Sequence, residues 1–344
     1  MLKSKNKILV IGANGQLGTP LTVALRAKYG HDNVIAADIN LPADGQNYLP
    51  FELLNATDSA KLAFIVERYR ITQIYHVAAI LSAKGETKPI ETWNVNMDGL
   101  FNVLDIMRSH HIDKAFFPSS IAVFGSNTPR HKTPQDTIRT PETVFGMSKV
   151  AGENWCSFYA NRFQTDVRSV RFPGIVSFYD KTGGMITDYA SDMINNAVKK
   201  GHYDCFLRAN ARLPMIFIDD AIRAIIELMD APRSAISIRS SYNINAMSFT
   251  PAELATEIKK HLPEFAITYK SEEIKEQLPY HLTPKSDVRQ YIADALPESV
   301  DDSQARKDWE WTAEYDLSHT VQVMIEQFKR KYNPPKPVFE EEKE

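Results

Sequence analysis

The chain has 344 residues, and its 40 Lys and Arg residues against 43 Asp and Glu residues give a formal net charge of −3. Hydrophobic residues make up 43% and charged residues 24% of the sequence, which is the composition of a globular protein and excludes a disordered or low-complexity chain. Because there is no basic excess, nucleic acid and anionic membrane surfaces are disfavoured as partners, and we expect a small-molecule ligand.

Two cysteines, Cys156 and Cys205, are too few for a disulfide framework and belong to no metal-ligand cluster. Such cysteine usage is typical of a reducing compartment. The longest apolar run, residues 74–81, is far shorter than the roughly 20 residues that span a bilayer. We therefore expect a protein of the cytoplasm, or of the mitochondrial matrix if a presequence has been removed, with no membrane partner and no metal.

Short apolar runs alternate with helical patterns over the first 125 residues. Strands are predicted at residues 7–11, 34–37, 74–77 and 115–117, and helices between them, the longest over about 90–110. Strands that are apolar throughout and separated by helices imply a parallel sheet covered on both faces. The expected fold is a doubly wound α/β (Rossmann) sheet, because the crossovers between parallel strands are right-handed.

The pattern loosens after about residue 176, which predicts a second lobe. We expect a dinucleotide-binding domain over residues 1–176, a smaller mixed α/β substrate lobe over 177–330, and a flexible acidic tail over 331–344. Predicted strands at 215–218 and 242–244 indicate that the chain returns to the first domain near 215–245. Thr250 and Glu253 flank a proline in a capping-box pattern, which predicts that a helix begins there.

A glycine motif with Gly12, Gly15 and Gly18 follows the first strand and opens a helix. Such glycines permit a tight turn and close approach of the backbone to a pyrophosphate, although an ordinary glycine-rich turn has the same bare pattern. Asp38 follows Gly18 by 20 residues, at the end of the second strand. A carboxylate there accepts hydrogen bonds from ribose hydroxyls and repels a 2′-phosphate, so NAD is favoured over NADP.

Two further clusters of polar residues follow predicted elements. Ser119 and Ser120 come after the strand at 115–117, where ligands bind in open α/β sheets, although serine is also common in turns. Phe145 and Lys149 are four residues apart on a predicted helix that runs to about residue 163, so they share one face. A helical lysine is normally solvated, and only the other residues of the site give Lys149 a functional meaning.

Longer stretches resemble the extended short-chain dehydrogenase/reductases, a family that includes nucleotide-sugar epimerases and dehydratases, and among them most closely the L-threonine 3-dehydrogenase group. The resemblance spans about residues 6–330, and the residues that carry it include the glycine motif, Asp38, Asn96, Ser120 and Lys149. The more specific stretches are Ile80-Leu-Ser-Ala-Lys-Gly-Glu86, Pro118-Ser-Ser-Ile-Ala-Val-Phe-Gly125, Val167-Arg-Ser-Val-Arg-Phe-Pro-Gly-Ile175, Gly183-Gly-Met-Ile-Thr-Asp-Tyr-Ala190, Arg212-Leu-Pro-Met215, Ala246-Met-Ser-Phe-Thr-Pro-Ala-Glu-Leu254 and Val300-Asp-Asp-Ser303.

The resemblance implies NAD-dependent oxidation of L-threonine to 2-amino-3-oxobutanoate, by a homodimer that pairs through helices near 90–110 and 145–163. It assigns catalysis to Ser120, Lys149 and position 145, and substrate binding to Ser82, Ser120, Thr187 and, more weakly, Asp188. Thr187 and Asp188 could equally be helix caps. The cofactor-binding residues that it implies are Gly12, Asn14, Gly15, Gln16, Leu17, Asp38, Ile39, Leu54, Ala78, Ala79, Lys149 and Ile175.

The family has a tyrosine where this chain has Phe145. A phenol whose pKa is lowered by a nearby ammonium acts as the general base, and its loss costs roughly 10²–10⁴ in rate. We expect intact NAD binding with strongly reduced turnover.

An engineered replacement at position 145 is favoured over a natural paralogue that binds NAD without turnover. Substitution by Tyr75, Tyr179 or Tyr189 is disfavoured, since none shares the Lys149 helix. A nucleotide-sugar epimerase or dehydratase, or a non-catalytic NAD-binding regulatory protein, remains the alternative.

Overall fold

The fold is seen in a computed structural model that describes residues 6–42, 49–81, 85–179, 185–270 and 288–333. The strands are β1 Ile8–Ile11, β2 Val34–Asp38, β3 Phe51–Leu53, β4 Gln73–His76, β5 Lys114–Phe116, β6 Ser119–Ser120, β7 Val167–Arg168, β8 Val170–Phe172, β9 Gly174–Val176, β10 His202–Cys205, β11 Leu213–Phe217, β12 Tyr242–Asn243, β13 Met247–Phe249 and β14 Ala266–Tyr269. The helices are α1 Gly18–Tyr29, α2 Ser59–Tyr69, α3 Pro89–Ser109, α4 Val144–Phe163, α5 Tyr189–Lys200, α6 Ile218–Asp230, α7 Pro251–His261, α8 Val288–Ala295, α9 Ser303–Trp309 and α10 Leu317–Tyr332.

A six-stranded parallel sheet with the strand order β3-β2-β1-β4-β5-β7 organises the first part of the chain. Its central strand β1 is buried on both sides: Ile8 and Val10 belong to one apolar cluster, and Leu9 and Ile11 to another. Successive strand residues point to opposite faces, so helices must cover both. Helix α1 covers the first face and helices α2 and α3 cover the second, which confirms the doubly wound fold.

The strand predictions are right in place and wrong by one or two residues at several ends. Strand β4 begins at Gln73 because that residue pairs with Ile8, and it ends at His76. Strand β5 ends at Phe116. Strand β11 ends at Phe217, because Ile218 already begins helix α6. These ends follow the register between strands, which the local sequence pattern does not contain.

Smaller sheets continue the molecule beyond the central one. Strand β11 pairs in parallel with β9, and β12 pairs in parallel with β8, which in turn pairs with β6. Strands β8 and β9 follow β7 of the central sheet in the sequence. Through β11 and β12, the segment over 213–243 therefore returns to lie beside the first part of the chain. The domain limits themselves stay a prediction.

The capping box at the start of helix α7 is confirmed. The Thr250 hydroxyl oxygen accepts from the Glu253 backbone amide at 3.2 Å, and the Glu253 carboxylate accepts from the Thr250 amide at 2.9 Å. Both cysteines are buried and carry free thiols.

Candidate active site

The carboxyl ends of β1, β2, β4 and β5 meet at one edge of the sheet, and a cavity of about 480 Å³ opens there. This volume lies within the roughly 300–1,000 Å³ that small-molecule and cofactor sites occupy. The cavity brings together nearly all of the residues that the sequence assigned to the site. They are Gly12, Gly15, Gln16, Leu17, Asp38, Ile39, Leu54, Ala78, Ala79, Ser120, Phe145, Lys149, Ile175, Thr187 and Asp188.

Two of the assigned residues, Ser82 and Asn14, are not in this list. Ser82 lies outside the described residues. Asn14 is not among the residues that line the cavity, and its backbone amide donates to Asp38 Oδ2 at 3.0 Å. Its side chain donates to the Asn40 carbonyl at 2.6 Å, so the main contribution of Asn14 is to hold the Asp38 loop.

Close backbone contacts in the glycine loop leave no room for a side chain at two of its glycines. Gly12 has φ of +88°, and a Cβ atom on it would lie 2.6 Å from the Ala78 backbone nitrogen. A Cβ atom on Gly18 would lie 2.0 Å from the Gly12 carbonyl oxygen. Helix α1 begins at Gly18, directly after the loop, and a helix N-terminus that follows a glycine loop is the arrangement that binds a pyrophosphate. The loop therefore fits the dinucleotide that the motif predicts.

Asp38 also lines the cavity, beside the glycine loop. Its carboxylate is fixed by the Asn14 amide and by the Asn40 amide, which donates to Oδ1 at 3.2 Å. Gln16, also in the lining, carries a buried side-chain nitrogen without a hydrogen-bond partner in the structure. A fixed carboxylate and an unpaired donor beside a glycine loop are consistent with NAD, whose ribose and phosphate oxygens supply both kinds of partner.

The two serines of β6 face different surroundings. Ser120 lines the cavity, and its hydroxyl oxygen accepts from the Ala122 amide at 3.1 Å. The Ser119 hydroxyl donates to Glu153 Oε1 at 2.6 Å. Glu153 is fully buried and is held by Arg171 at 2.8 Å and by Arg139 at 2.6 Å. This ion-pair network connects β6 to helix α4, so the strand that carries Ser120 is held in a fixed position.

Helix α4 carries Phe145 and Lys149 into the cavity. Thr143 caps the helix by accepting from the Gly146 amide at 3.1 Å. A Cβ atom on Gly146 would lie 2.1 Å from the Ala122 carbonyl oxygen, so the helix packs directly on the turn after Ser120. Phe145 is 3% and Lys149 is 4% exposed. The close packing explains how both side chains, buried as they are, stay beside Ser120.

The Lys149 amine is held among aromatic rings. Its Nζ atom lies 4.4 Å from the centre of the Phe117 ring and 5.3 Å from that of Phe145. Among the described residues no carboxylate oxygen lies within 4.0 Å of it. Desolvation lowers the pKa of Lys149 to about 7, although Cys156 and Glu153 act in the opposite direction. Burial, together with the nearby Lys149 cation, lowers the pKa of His76 to about 3.

Thr187 and Asp188 lie on a short turn, Ile186–Asp188, at the far end of the cavity. A Cβ atom on Gly174 would lie 2.5 Å from the Thr187 side chain, so β9 packs tightly against this turn. Asp188 Oδ2 accepts from the Met185 amide at 2.8 Å, which fixes the carboxylate within the turn. Helix α5 receives no side-chain cap from Asp188, so capping of α5 does not account for that residue.

The resemblance includes Asn96 without a role for it, and several other lining positions were not predicted. Asn96 on helix α3 accepts from the Ile80 amide at 2.8 Å and donates to the Ile80 carbonyl at 3.1 Å, which holds the loop after β4. The Asn96 amide also donates to Ser148 Oγ at 3.2 Å. A lone asparagine on an amphipathic helix carries no signal of this contact, because its partners are distant in the sequence. Further lining residues are Asn55, Ala56, Pro118, Phe172, Pro173 and Met185.

Three tyrosines named as substitutes for the phenol lie elsewhere. Tyr75 and Tyr189 are fully buried, and Tyr179 is half-buried. Within the described part of the chain none of them lines the cavity. The same part contains no group of three His, Cys, Asp or Glu residues that could hold a metal ion. Nor does it contain a helix long and apolar enough to cross a membrane.

Comparisons with known proteins agree on the family. Residues 8–245 match the model of the NAD dependent epimerase/dehydratase family. The chain is 43% identical over 321 residues to the mitochondrial L-threonine 3-dehydrogenase of Sus scrofa, covering 93% of this chain and 82% of the pig protein.

Two solved structures are similar over nearly their whole length. The holo form of the GalE-like L-threonine dehydrogenase from Cupriavidus necator has a TM-score of 0.87 and 46% identity, covering 94% of this chain and 100% of that one. The monomeric L-threonine 3-dehydrogenase from a metagenome, in its apo form, has a TM-score of 0.86 and 42% identity, covering 94% and 99%. This chain therefore belongs to the NAD dependent epimerase/dehydratase family, the extended short-chain dehydrogenase/reductases, and its cofactor is NAD.

Proposed function

We propose that this site performs the NAD-dependent oxidation of L-threonine to 2-amino-3-oxobutanoate. The observation that carries the proposal is the single cavity that joins the glycine loop and Asp38 at one end to Ser120, Lys149 and Thr187 at the other. The chain's whole-length similarity to proteins named as L-threonine dehydrogenases supports the choice of substrate.

Each part of the cavity has a role in this proposal. The α1 N-terminus binds the pyrophosphate, Asp38 accepts from the adenosine ribose hydroxyls, and Lys149 holds the nicotinamide ribose. The remaining residues of the cofactor set are Gly12, Asn14, Gly15, Gln16, Leu17, Ile39, Leu54, Ala78, Ala79 and Ile175. Bound NAD supplies the hydride acceptor.

The substrate lies between Ser120 and the Thr187 turn. Ser120 orients the β-hydroxyl of threonine, while Ser82 and Thr187, with Asp188, receive its carboxylate and ammonium groups. Threonine is small and doubly charged, so it needs a few fixed polar partners in an otherwise apolar cavity. Lobe closure of residues 177–330 over residues 1–176 would exclude water from the reacting carbon.

Phe145 sets the rate of this chain. A phenylalanine ring keeps the shape of tyrosine and loses the proton-accepting oxygen, so we expect NAD binding to be intact and turnover reduced by roughly 10²–10⁴. The intact remainder of the site favours an engineered replacement. Phe145 itself favours a second candidate, an NAD-binding regulatory protein without catalysis.

The quaternary structure that we propose is a homodimer formed through helices α3 and α4. These helices pack together, and α4 presents an aromatic patch, which we define as Trp155, Phe158 and Phe163, each at least 40% exposed. Exposed aromatic residues grouped on one face are typical of a protein interface.

The test uses the Phe145→Tyr variant, so that a missing base does not hide the substrate. NADH formation is followed with L-threonine and with L-serine, and the threonine product is identified by mass spectrometry. Conversion of a uridine-diphosphate hexose is followed separately by chromatography of the sugar nucleotide, because epimerisation produces no net NADH. We expect rapid reduction of NAD with L-threonine and formation of 2-amino-3-oxobutanoate. Conversion of the sugar nucleotide without threonine oxidation would instead assign the chain to the epimerases, and no conversion at all would support the regulatory protein.

A further inference from the structure

The Lys149 side chain is the one cavity-lining amine that the structure describes, and its surroundings offer it ring faces but no counter-ion in contact. Phe117 and Phe145 contribute ring faces, and His76, which packs on the Phe117 ring at 6.5 Å, is itself buried. Glu153, one turn along helix α4, is turned away into its pairs with Arg171 and Arg139. The nearest thiol, Cys156, is fully buried. The amine therefore faces the cavity without a counter-ion.

The geometry points to the Lys149 amine as the proton acceptor of this site, in a chain whose residue 145 has no oxygen to take that role. The inference rests on the proposed function and changes the division of labour within it. A buried lysine without a partner carboxylate loses its proton easily and is the kind of lysine that serves as a general base. The pKa of Lys149, at about 7, leaves a substantial fraction of free amine at neutral pH.

The proposed step balances without a further reactant. The C–H bond at the substrate's carbinol carbon breaks, and its electron pair passes to the nicotinamide ring, so that the substrate is oxidised and NAD is reduced. The O–H bond of the same carbinol breaks, and its proton forms an N–H bond on Nζ of Lys149, directly or through one water molecule. The resulting ammonium then releases the proton to solvent. Ser120 holds the hydroxyl in place throughout.

The first test measures the amine without any turnover. Protein labelled with ¹³C at the lysine ε-carbons is titrated by NMR, and the Lys149 signal is assigned by its loss in Lys149→Met. We expect a midpoint near pH 7 for Lys149 and above about 10 for exposed lysines. A Lys149 midpoint above pH 9 would overturn the inference, because too little free amine would then exist at neutral pH.

The second test separates the base from the charge. Lys149→Arg keeps a cation that can hold a ribose hydroxyl but cannot lose its proton. We expect this variant to bind NAD and to lose the residual threonine oxidation of the parent by about 10²-fold. In Lys149→Ala, added methylamine or ethylamine should restore part of the rate, more strongly for the more basic amine at equal concentration of its free-base form.

Failure of this inference and failure of the proposed function give different results. If Phe145→Tyr oxidises threonine rapidly while Lys149→Arg keeps the parent's residual rate, the lysine is not the base and the substrate assignment stands. If Phe145→Tyr is inert with threonine, the substrate assignment fails, and the NMR midpoint still decides whether Lys149 presents a free amine.

Discussion

Nζ of Lys149 lies 5.3 Å from the centre of the Phe145 ring. Phe145 precedes Lys149 by one turn of helix α4. The attraction between the ring face and the ammonium offsets part of the cost of burying that charge. Ring and amine are packed in a fixed arrangement that a tyrosine at position 145 would share. The rest of the site is thus assembled, and position 145 decides how well it works.

The buried amine should make the folded protein less stable than it could be. Replacing Lys149 by Met removes the desolvation cost and keeps the length of the side chain, so we predict a melting temperature about 2 °C or more above that of the parent at pH 6. Differential scanning calorimetry measures this directly. A lower melting temperature for Lys149→Met would show that the ammonium is stabilised in the fold.

The same variant, Lys149→Met, tests how the stability of the fold depends on pH. The pKa of Lys149 is about 7 in the fold and 10.5 in the unfolded chain, so the unfolded state binds more protons between these values. The parent should therefore gain stability as pH rises from 7 toward 10.5, and its deficit against Lys149→Met should be largest below pH 7 and shrink above it. A deficit that is constant over this range would contradict the assigned shift.

Asp38 should determine the choice of cofactor. Asp38→Asn keeps the shape and removes the charge that accepts from ribose hydroxyls, so we predict at least about tenfold weaker binding of NAD and a smaller preference over NADP. Isothermal titration calorimetry with both cofactors measures the two affinities. Asp32→Asn, at a side chain that is 97% exposed, is the matched control and should bind NAD like the parent. Equal NAD affinity in Asp38→Asn would exclude the carboxylate as a ribose contact.

Gly12 should be required for stability and NAD binding because of its positive φ and because of the close Ala78 backbone. A control variant can separate these two causes. Gly12→Ala combines a positive φ with a Cβ atom 2.6 Å from the Ala78 nitrogen, and we predict a loss of about 3 kcal/mol in unfolding free energy together with loss of NAD binding. Gly201→Ala has φ of +69° but open space around the Cβ atom. It should cost only about 1 kcal/mol and leave NAD binding unchanged. Urea denaturation and calorimetry compare the two variants, and equal effects would contradict the steric argument.

The aromatic patch of Trp155, Phe158 and Phe163 should form the dimer interface. We predict that the chain elutes as a dimer in size-exclusion chromatography with light scattering, and that Trp155→Glu converts it to a monomer. Phe64→Glu replaces another aromatic residue, 50% exposed on helix α2, and should leave the dimer intact. A monomeric parent would exclude the proposed homodimer.

The sequence was sufficient for the fold because the apolar runs report burial on both faces of the sheet. Residues 8–11 and 34–38 are apolar up to Asp38, and burial on two faces requires helices on both sides. Strand ends were less accurate, since they depend on which residue of a distant strand lies opposite, as Gln73 lies opposite Ile8.

The candidate site was predictable where a residue's position along an element decides its exposure to the cavity. Asp38 and Ser120 follow strands whose ends face one edge. The burial of Lys149 was not predictable, because the pattern of a helix does not tell which neighbour covers it. Likewise the separation of Ser119 from Ser120 depends on Glu153, whose position beneath β6 comes from tertiary packing.

The most direct measurement compares this chain with its Phe145→Tyr variant in NADH formation from L-threonine and NAD at pH 8, after both have been shown to bind NAD equally. We predict a rate for the tyrosine variant that is about 10²-fold or more above that of the parent. Equal NAD binding with no threonine oxidation by either protein would contradict the proposed function.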